Sequence, residues 1–156
     1  MKQLVFVMQR QERNNWCWSA VATSIALFRS AASGWTQCKL ATAELGQGNC
    51  CAAGTCDTDW FLNRALNRTG NLRAFSSGAE SLASIQSEID SDLPLGVRIQ
   101  WRGQGGHFVA ITGCDTINNL VTVSDPLEDE SVTLDYDRFV SSYEGIGSWS
   151  HSYFTQ

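Results

Sequence analysis

The chain has no excess of basic residues. Eleven lysines and arginines stand against sixteen aspartates and glutamates, a net charge of −5. It therefore lacks the dominant basic face that nucleic-acid binding requires. No apolar run approaches the roughly 20 residues needed to span a bilayer. No secretory signal stands at its start: Met1 to Met8 is a short alternating segment without a basic region, a long apolar stretch or a small-residue cleavage site. Export is thus expected to need a dedicated secretion system, or the chain to be a fragment of a larger polypeptide. Internal repeats and low-complexity tracts are absent, and charged residues reach only 17%, low for a disordered chain. Histidine is scarce, with only His107 and His151. What is present is 43% apolar and 10% aromatic residue over 156 positions, enough to build the core of about one domain.

Charge is unevenly placed. Lys2, Arg10, Arg13, Arg29 and Lys39 crowd the first forty residues, with Glu12 the single acid there. Asp125, Glu128, Asp129, Glu130, Asp135 and Asp137 form a later stretch without a base. Two solvated surfaces account for this; an acidic rim that selects a basic substrate or partner is the sharper reading.

Periodicity gives a coarse map. Lys2 to Val7 reads as a short strand. A helix begins near Trp16, capped by Asn14 or Asn15, with Trp18, Val21, Ala22, Ile25 and Phe28 forming one apolar stripe before Gly34. Cys38 to Leu45 is a second short helix, stopped by Gly46. Asp57 is placed to cap a third, running to Thr69, with Gly70 after it. Ser77 and Glu80 have capping-box spacing and open a helix that buries Leu82, Ile85 and Ile89. After Pro94 the pattern changes to strands: Leu95 to Trp101, His107 to Gly113, Leu120 to Ser124, Ser131 to Leu134 and Trp149 to Phe154, with Asp135 capping a short helix. Helices first and mostly antiparallel strands second imply an α+β fold in two lobes, not βαβ units. The expected organisation is one domain over 1–156, with a helical lobe at about 11–92 and a β lobe at about 93–156 joined by the N-terminal strand.

Four side chains carry the chemistry. Cys17 sits in the first turn of the best-defined helix, where unpaired N–H groups and the positive end of the helix dipole stabilise an anion. A thiol there is more easily ionised, and the thiolate is the nucleophile. Taken alone, it reads rather as a buried small hydrophobe. Gln11 lies six residues earlier, so a loop can return its amide beside the sulfur and donate to a developing oxyanion, together with the Cys17 N–H. Gln9 is the competing glutamine. His107 follows Gly105 and Gly106, which leave room for a substrate, whereas His151 lies between serines and reads as structural. If 107–113 and 120–125 pair as a hairpin, opposed residue numbers sum to about 232 to 234, which brings Asp125 beside His107. Asp115 falls at the turn, about 26 Å along the strand at ~3.3 Å per residue, too far to orient the imidazole. A nucleophile, a base, an orienting acid and an oxyanion donor result.

These residues carry a family resemblance. Gln11-Glu-Arg-Asn-Asn-Trp-Cys17-Trp18, Gly105-Gly106-His107-Phe-Val-Ala-Ile-Thr-Gly113 and Val123-Ser-Asp125-Pro126 resemble papain-like cysteine proteases. So do Thr36-Gln-Cys38-Lys-Leu-Ala, Asn49-Cys50-Cys51 and Tyr136-Asp-Arg-Phe139. The resemblance is to a small bacterial branch of effector and toxin proteases, related to plant-pathogen effector proteases and to bacteriocin-processing double-glycine peptidases. It implies a papain-like fold with the nucleophile opening the central helix and His and Asp on the sheet. By position it makes Cys17 the nucleophile, His107 the base, Asp125 the third member and Gln11 the oxyanion glutamine. No tryptophan closely follows Asp125 to shield its bond to His107, a departure from papain.

Cys38, Cys50, Cys51 and Cys56 form a local group with two crossed pairings open: Cys38 with either adjacent cysteine, and Cys56 with the other. Disulfides imply an oxidising compartment, reduced thiols a cytosol, and the spacing fits zinc poorly. Cys114 sits at the hairpin turn and reads as structural. No cofactor or metal is implied. The expected activity is that of a cysteine endopeptidase acting on a protein or peptide. Its rivals are acyl transfer or glutamine deamidation by the same triad, and an inactive papain-like binding module. The resemblance adds an effector or toxin setting, secreted or delivered into a target cell. It also adds an immunity protein or inhibitor as partner, with the acidic stretch as its contact.

Overall fold

A computed structural model describes all 156 residues. Seven strands form one antiparallel sheet, in the order β2(Leu72–Ser77), β7(Gly147–Thr155), β3(Leu95–Trp101), β4(Gly106–Asp115), β5(Leu120–Ser124) and β6(Val132–Asp135), with β1(Lys2–Gln3) paired to the far end of β4. Five helices complete the chain: α1(Cys17–Arg29), α2(Gln37–Leu45), α3(Leu62–Thr69), α4(Leu82–Asp90) and α5(Tyr136–Ser142).

Alternation along β4 explains why both faces of the sheet are covered. Val109 and Ile111 point into a core with Val97, Ile99, Val121 and Val123, closed by Ile85 and Ile89 of α4 and Phe139 of α5. Phe108 points the other way, into a second core with Tyr153, the α1 residues Trp18, Val21 and Ile25, and Leu62 and Leu66 of α3. The α+β class therefore holds. β2, early in the chain, joins the sheet at its edge, and α4 packs on one face of it. β2 escapes the periodicity because it is an edge strand whose side chains are mostly exposed, so no inward alternation marks it.

α1 is enclosed on all sides instead of burying one stripe: every residue from Cys17 to Ala26 is buried. Its polar members are satisfied internally. Thr23 Oγ1 donates to Ser19 O at 2.7 Å, Ser24 Oγ to Ala20 O at 2.6 Å, and Ser19 Oγ to Gln37 O at 2.9 Å.

Three expected caps move. Trp16, not an asparagine, is the N-cap of α1; Asn15 is tied to Asp57 instead, its backbone N–H donating to Oδ1 at 2.8 Å and its Nδ2 to the carbonyl at 3.3 Å. Asp57 is thereby taken from α3, which starts only at Leu62 after Phe61. The cap of α4 is Ser81, which accepts from Ser84 N, while Ser77 ends β2. Gly46 and Gly70 stop α2 and α3 in left-handed conformations as expected, and Asp135 caps α5. The expected strand 2–7 narrows to a two-residue pairing. No helix is long and apolar enough to cross a membrane.

Candidate active site

Cys17 opens α1, so its backbone N–H has no carbonyl four residues back inside the helix, and no other backbone carbonyl takes it. Two flanking tryptophans fix this helix start. Trp16 Nε1 donates to Cys56 O at 2.6 Å and Trp18 Nε1 to Thr58 O at 3.0 Å. The segment that accepts these bonds is itself tied down by two disulfides, Cys38–Cys51 and Cys50–Cys56, one of the two crossed pairings left open by the sequence. Cys17 and Cys114 are the free thiols, both buried, and only Cys17 lines the main cleft.

His107 and Asp125 come together across the open end of the β4–β5 hairpin. Observed partners sum to 234 at Ala110 and Ser124, and to 235 beyond an irregularity at Ile111 and Gly113. His107 Nε2 reaches Asp125 Oδ1 at 2.8 Å, with both side chains buried. The carboxylate accepts two further donors, the Leu127 N–H at 2.9 Å and the Tyr143 hydroxyl at 2.7 Å. Burial pushes the Asp125 carboxyl upward, but the bond from His107, its positive charge and these two donors outweigh burial and hold it below the usual range. An ionised carboxylate can only accept, so Nε2 carries a proton and Nδ1 is the ring nitrogen left for the thiol. Burial likewise lowers the proton affinity of His107. The Asp125 bond, the adjacent Cys17 side chain and both of their charges reverse this and raise it from 6.5 to about 9. The same conditions push the Tyr143 hydroxyl far up, through burial first and then the Asp125 charge, so it stays a donor.

Two residues escaped the sequence reading. Tyr143 is one; the other is Trp101, whose ring stacks on His107 with centroids 5.9 Å apart and planes inclined 18°. It covers the imidazole from β3, replacing a tryptophan after Asp125. The hairpin register held a signal for it: Gln100 pairs with Gly106, so Trp101 had to end beside the glycine–histidine turn. For Tyr143 no comparable signal exists, since this residue just after α5 reaches Asp125 only through the fold.

The remaining candidates do not join the His107–Asp125 pair, although His151 lines the same cleft as Cys17. Asp115 caps its own turn, accepting from Ile117 N, Asn118 N and Asn118 Nδ2. His151 lies on β7, with Nδ1 3.0 Å from Ser150 Oγ. Gln9 accepts from Gln37 Nε2 and Thr23 Oγ1 behind α1. Gln11 stands at the entrance loop of α1, with its backbone N–H on Pro126 O at 3.0 Å, one residue from Asp125. Its Nε2 donates to Arg13 O at 3.1 Å and Asn14 O at 2.7 Å, and its Oε1 is buried without a partner. The expected oxyanion donor is therefore held by loop carbonyls. No cluster of three or more His, Cys, Asp or Glu side chains could hold a metal ion.

Over residues 3–151 the sequence matches the model of the Peptidase_C39 like family. The chain belongs to this family. Its α+β architecture, with Cys17 opening the buried helix and His107 and Asp125 on the sheet, is papain-like. Among solved structures it is similar to the Pseudomonas avirulence protein AvrPphB, with 9% identity, 97% of each chain covered and a TM-score of 0.47. No curated protein matches the sequence.

Proposed function

We propose that this member of the family is a cysteine endopeptidase whose triad is Cys17, His107 and Asp125. What carries the reading is the carboxylate of Asp125, buried under three donors and bonded to an imidazole that the Cys17 thiol adjoins. Structural ion pairs do not need a cysteine at a helix start in an open cleft; a nucleophile does.

The Cys17 sulfur, as thiolate, attacks the substrate carbonyl carbon, forming a C–S bond and moving the carbonyl electron pair to oxygen. The Cys17 backbone N–H, which no backbone carbonyl occupies, donates to that oxyanion. Gln11 is the second donor, its amide exchanging the longer bond to Arg13 O for the oxyanion. Protonated His107 gives its Nδ1 proton to the leaving amine as the C–N bond breaks. Water then yields a proton to His107 and attacks the acyl carbon; the C–S bond breaks, the acid product leaves, and the thiolate and protonated His107 are restored. Asp125 holds the ring and favours its charged form throughout.

An effector or toxin role outside the producing cell is part of the proposal. Two disulfides within residues 38–56 support it, since such bonds persist in oxidising compartments. A neutralising partner would meet the acidic rim at Glu128, Asp129 and Glu130, which borders the Asp125 end of β5. Charge reversal there should abolish its binding.

Mass spectrometry of an unfolded casein substrate, treated with wild type or Cys17→Ala, tests the activity. New termini that need Cys17 are expected. A gain of about one mass unit at glutamines without new termini would make the protein a deamidase instead, and no Cys17-dependent change would overturn the enzyme reading.

A further inference from the structure

The cleft that contains Cys17 encloses about 660 Å³ and is walled by Trp60, Phe61, Phe75 and Tyr153. One cation faces this space from β3. Arg98 directs Nη1 to Gln100 Oε1 at 2.9 Å and Ser150 Oγ at 3.0 Å, leaving Nη2 and Nε without a protein acceptor. No carboxylate lies within 4.0 Å of it, although the protein as a whole is acidic. Its position depends on Gly106, beside His107. A Cβ at residue 106 would lie 2.5 Å from Nη2, 2.7 Å from Cζ and 2.9 Å from Nε. The missing side chain is what lets the guanidinium lie over the backbone between the catalytic strand and the cleft. The two bonds to Nη1 fix its plane, so little ordering entropy remains to be lost on binding. Arg64 lines the same cleft, over the Trp60 and Phe61 rings at 5.6 and 5.8 Å, and Asp59 is the one acid there. A substrate therefore meets two guanidiniums against one carboxylate, between aromatic walls that reduce screening.

We infer that Arg98 is a specificity residue and that the cleft takes a peptide bearing a carboxylate close to the scissile bond. Nη2 and Nε form the two-pronged donor edge that matches a carboxylate. The ligand is an aspartate or glutamate side chain, or the terminal carboxylate of a peptide cut near its end. The substrate class rests on the peptidase reading; the carboxylate site itself does not.

The probe is a random nonapeptide library in two forms, amidated and free at the C-terminus, with cleaved products sequenced by mass spectrometry. For wild type, Asp and Glu should exceed Asn and Gln about tenfold at one position near the cut in the amidated library, or the free-acid library should be cleaved about tenfold better. The first result identifies a side chain, the second a chain terminus. Arg98→Gln should bring that ratio close to one, Arg98→Lys should keep part of it, and Arg98→Glu should turn the preference towards Lys and Arg. A purely structural Arg98 would slow all peptides alike. Wild type without a carboxylate preference in either library, or Arg98→Gln with the preference intact, overturns the inference. If wild type cleaves nothing, the peptidase reading fails, and retention of the same libraries on immobilised Cys17→Ala protein decides the site. Acid-bearing peptides retained by Cys17→Ala and lost in Cys17→Ala/Arg98→Gln support it; equal retention overturns it.

Discussion

Trp101 lies nearly flat against the imidazole of His107 and, on the same stack, 6.3 Å from the ring of Tyr143, which donates to Asp125. One indole thus stacks on His107 and on the tyrosine that donates to its partner Asp125. Trp101→Ala should lower kcat about tenfold to a hundredfold by loosening the ring that must meet the sulfur. Trp101→Phe should restore most of it. Equal kcat for the Ala variant and wild type, measured on the same peptide, would remove Trp101 from the positioning role.

Tyr143→Phe deletes one of three donors to a buried carboxylate, and no solvent replaces it. Stability should fall by about 1–3 kcal/mol, read from urea unfolding midpoints. Gly147→Ala should also destabilise, since its Cβ would lie 2.5 Å from Ile99 Cγ2 and 2.7 Å from Trp101 Cζ3, for a cost of about 1–3 kcal/mol.

The proton on His107 links stability to pH. An unfolded histidine titrates near 6.5, whereas in the fold the value is raised to about 9. The folded state holds the proton more tightly, so this contribution is complete below about pH 6.5 and is lost as pH rises through about 9. The stability difference between wild type and His107→Gln should shrink across that window. A difference that stays constant from pH 6 to 10 would contradict the pairing. Asp125 has the opposite sign: its depressed carboxyl contributes above the unfolded carboxylate range near 3.9, and the contribution is lost as pH falls through the lower folded value.

The two disulfides brace the segment that receives the Trp16 and Trp18 indoles, so reduction should loosen the start of α1. Each bond should contribute about 2–4 kcal/mol, and dithiothreitol should lower the unfolding temperature. Native alkylation with iodoacetamide, without reductant, should add one label, at Cys17 in the cleft and faster than at free cysteine. Labelling of Cys114 first, or no preference for Cys17, would favour an inactive binding module.

Much of this geometry was legible in the sequence. Hairpin arithmetic brought Asp125 to His107 because two strands of fixed spacing leave few registers, and it excluded Asp115 for the same reason. The α+β class followed from the change of period at Pro94. The caps were less legible: Asn15 and Asp57 are good caps in isolation, yet they bond to each other across the disulfide-braced loop, which no local rule sees. β2 was hidden because an exposed edge strand has no buried face to pattern it. Tyr143 reaches Asp125 only through tertiary packing, and the Gln11 amide is turned by carbonyls of its own loop.

Removing the proposed second oxyanion donor gives a graded test of mechanism. Gln11→Ala should reduce kcat about 10²–10³-fold with little change in KM. A change confined to KM would place Gln11 in loop structure alone.

The central claim is that Cys17, through His107 and Asp125, cuts polypeptide chains. N-terminal labelling of whole proteomes, from cells producing wild type or Cys17→Ala protein at equal levels, measures it directly. New amino termini should appear with wild type and be absent with Cys17→Ala. Identical sets of termini in the two samples, with both proteins folded, would contradict it.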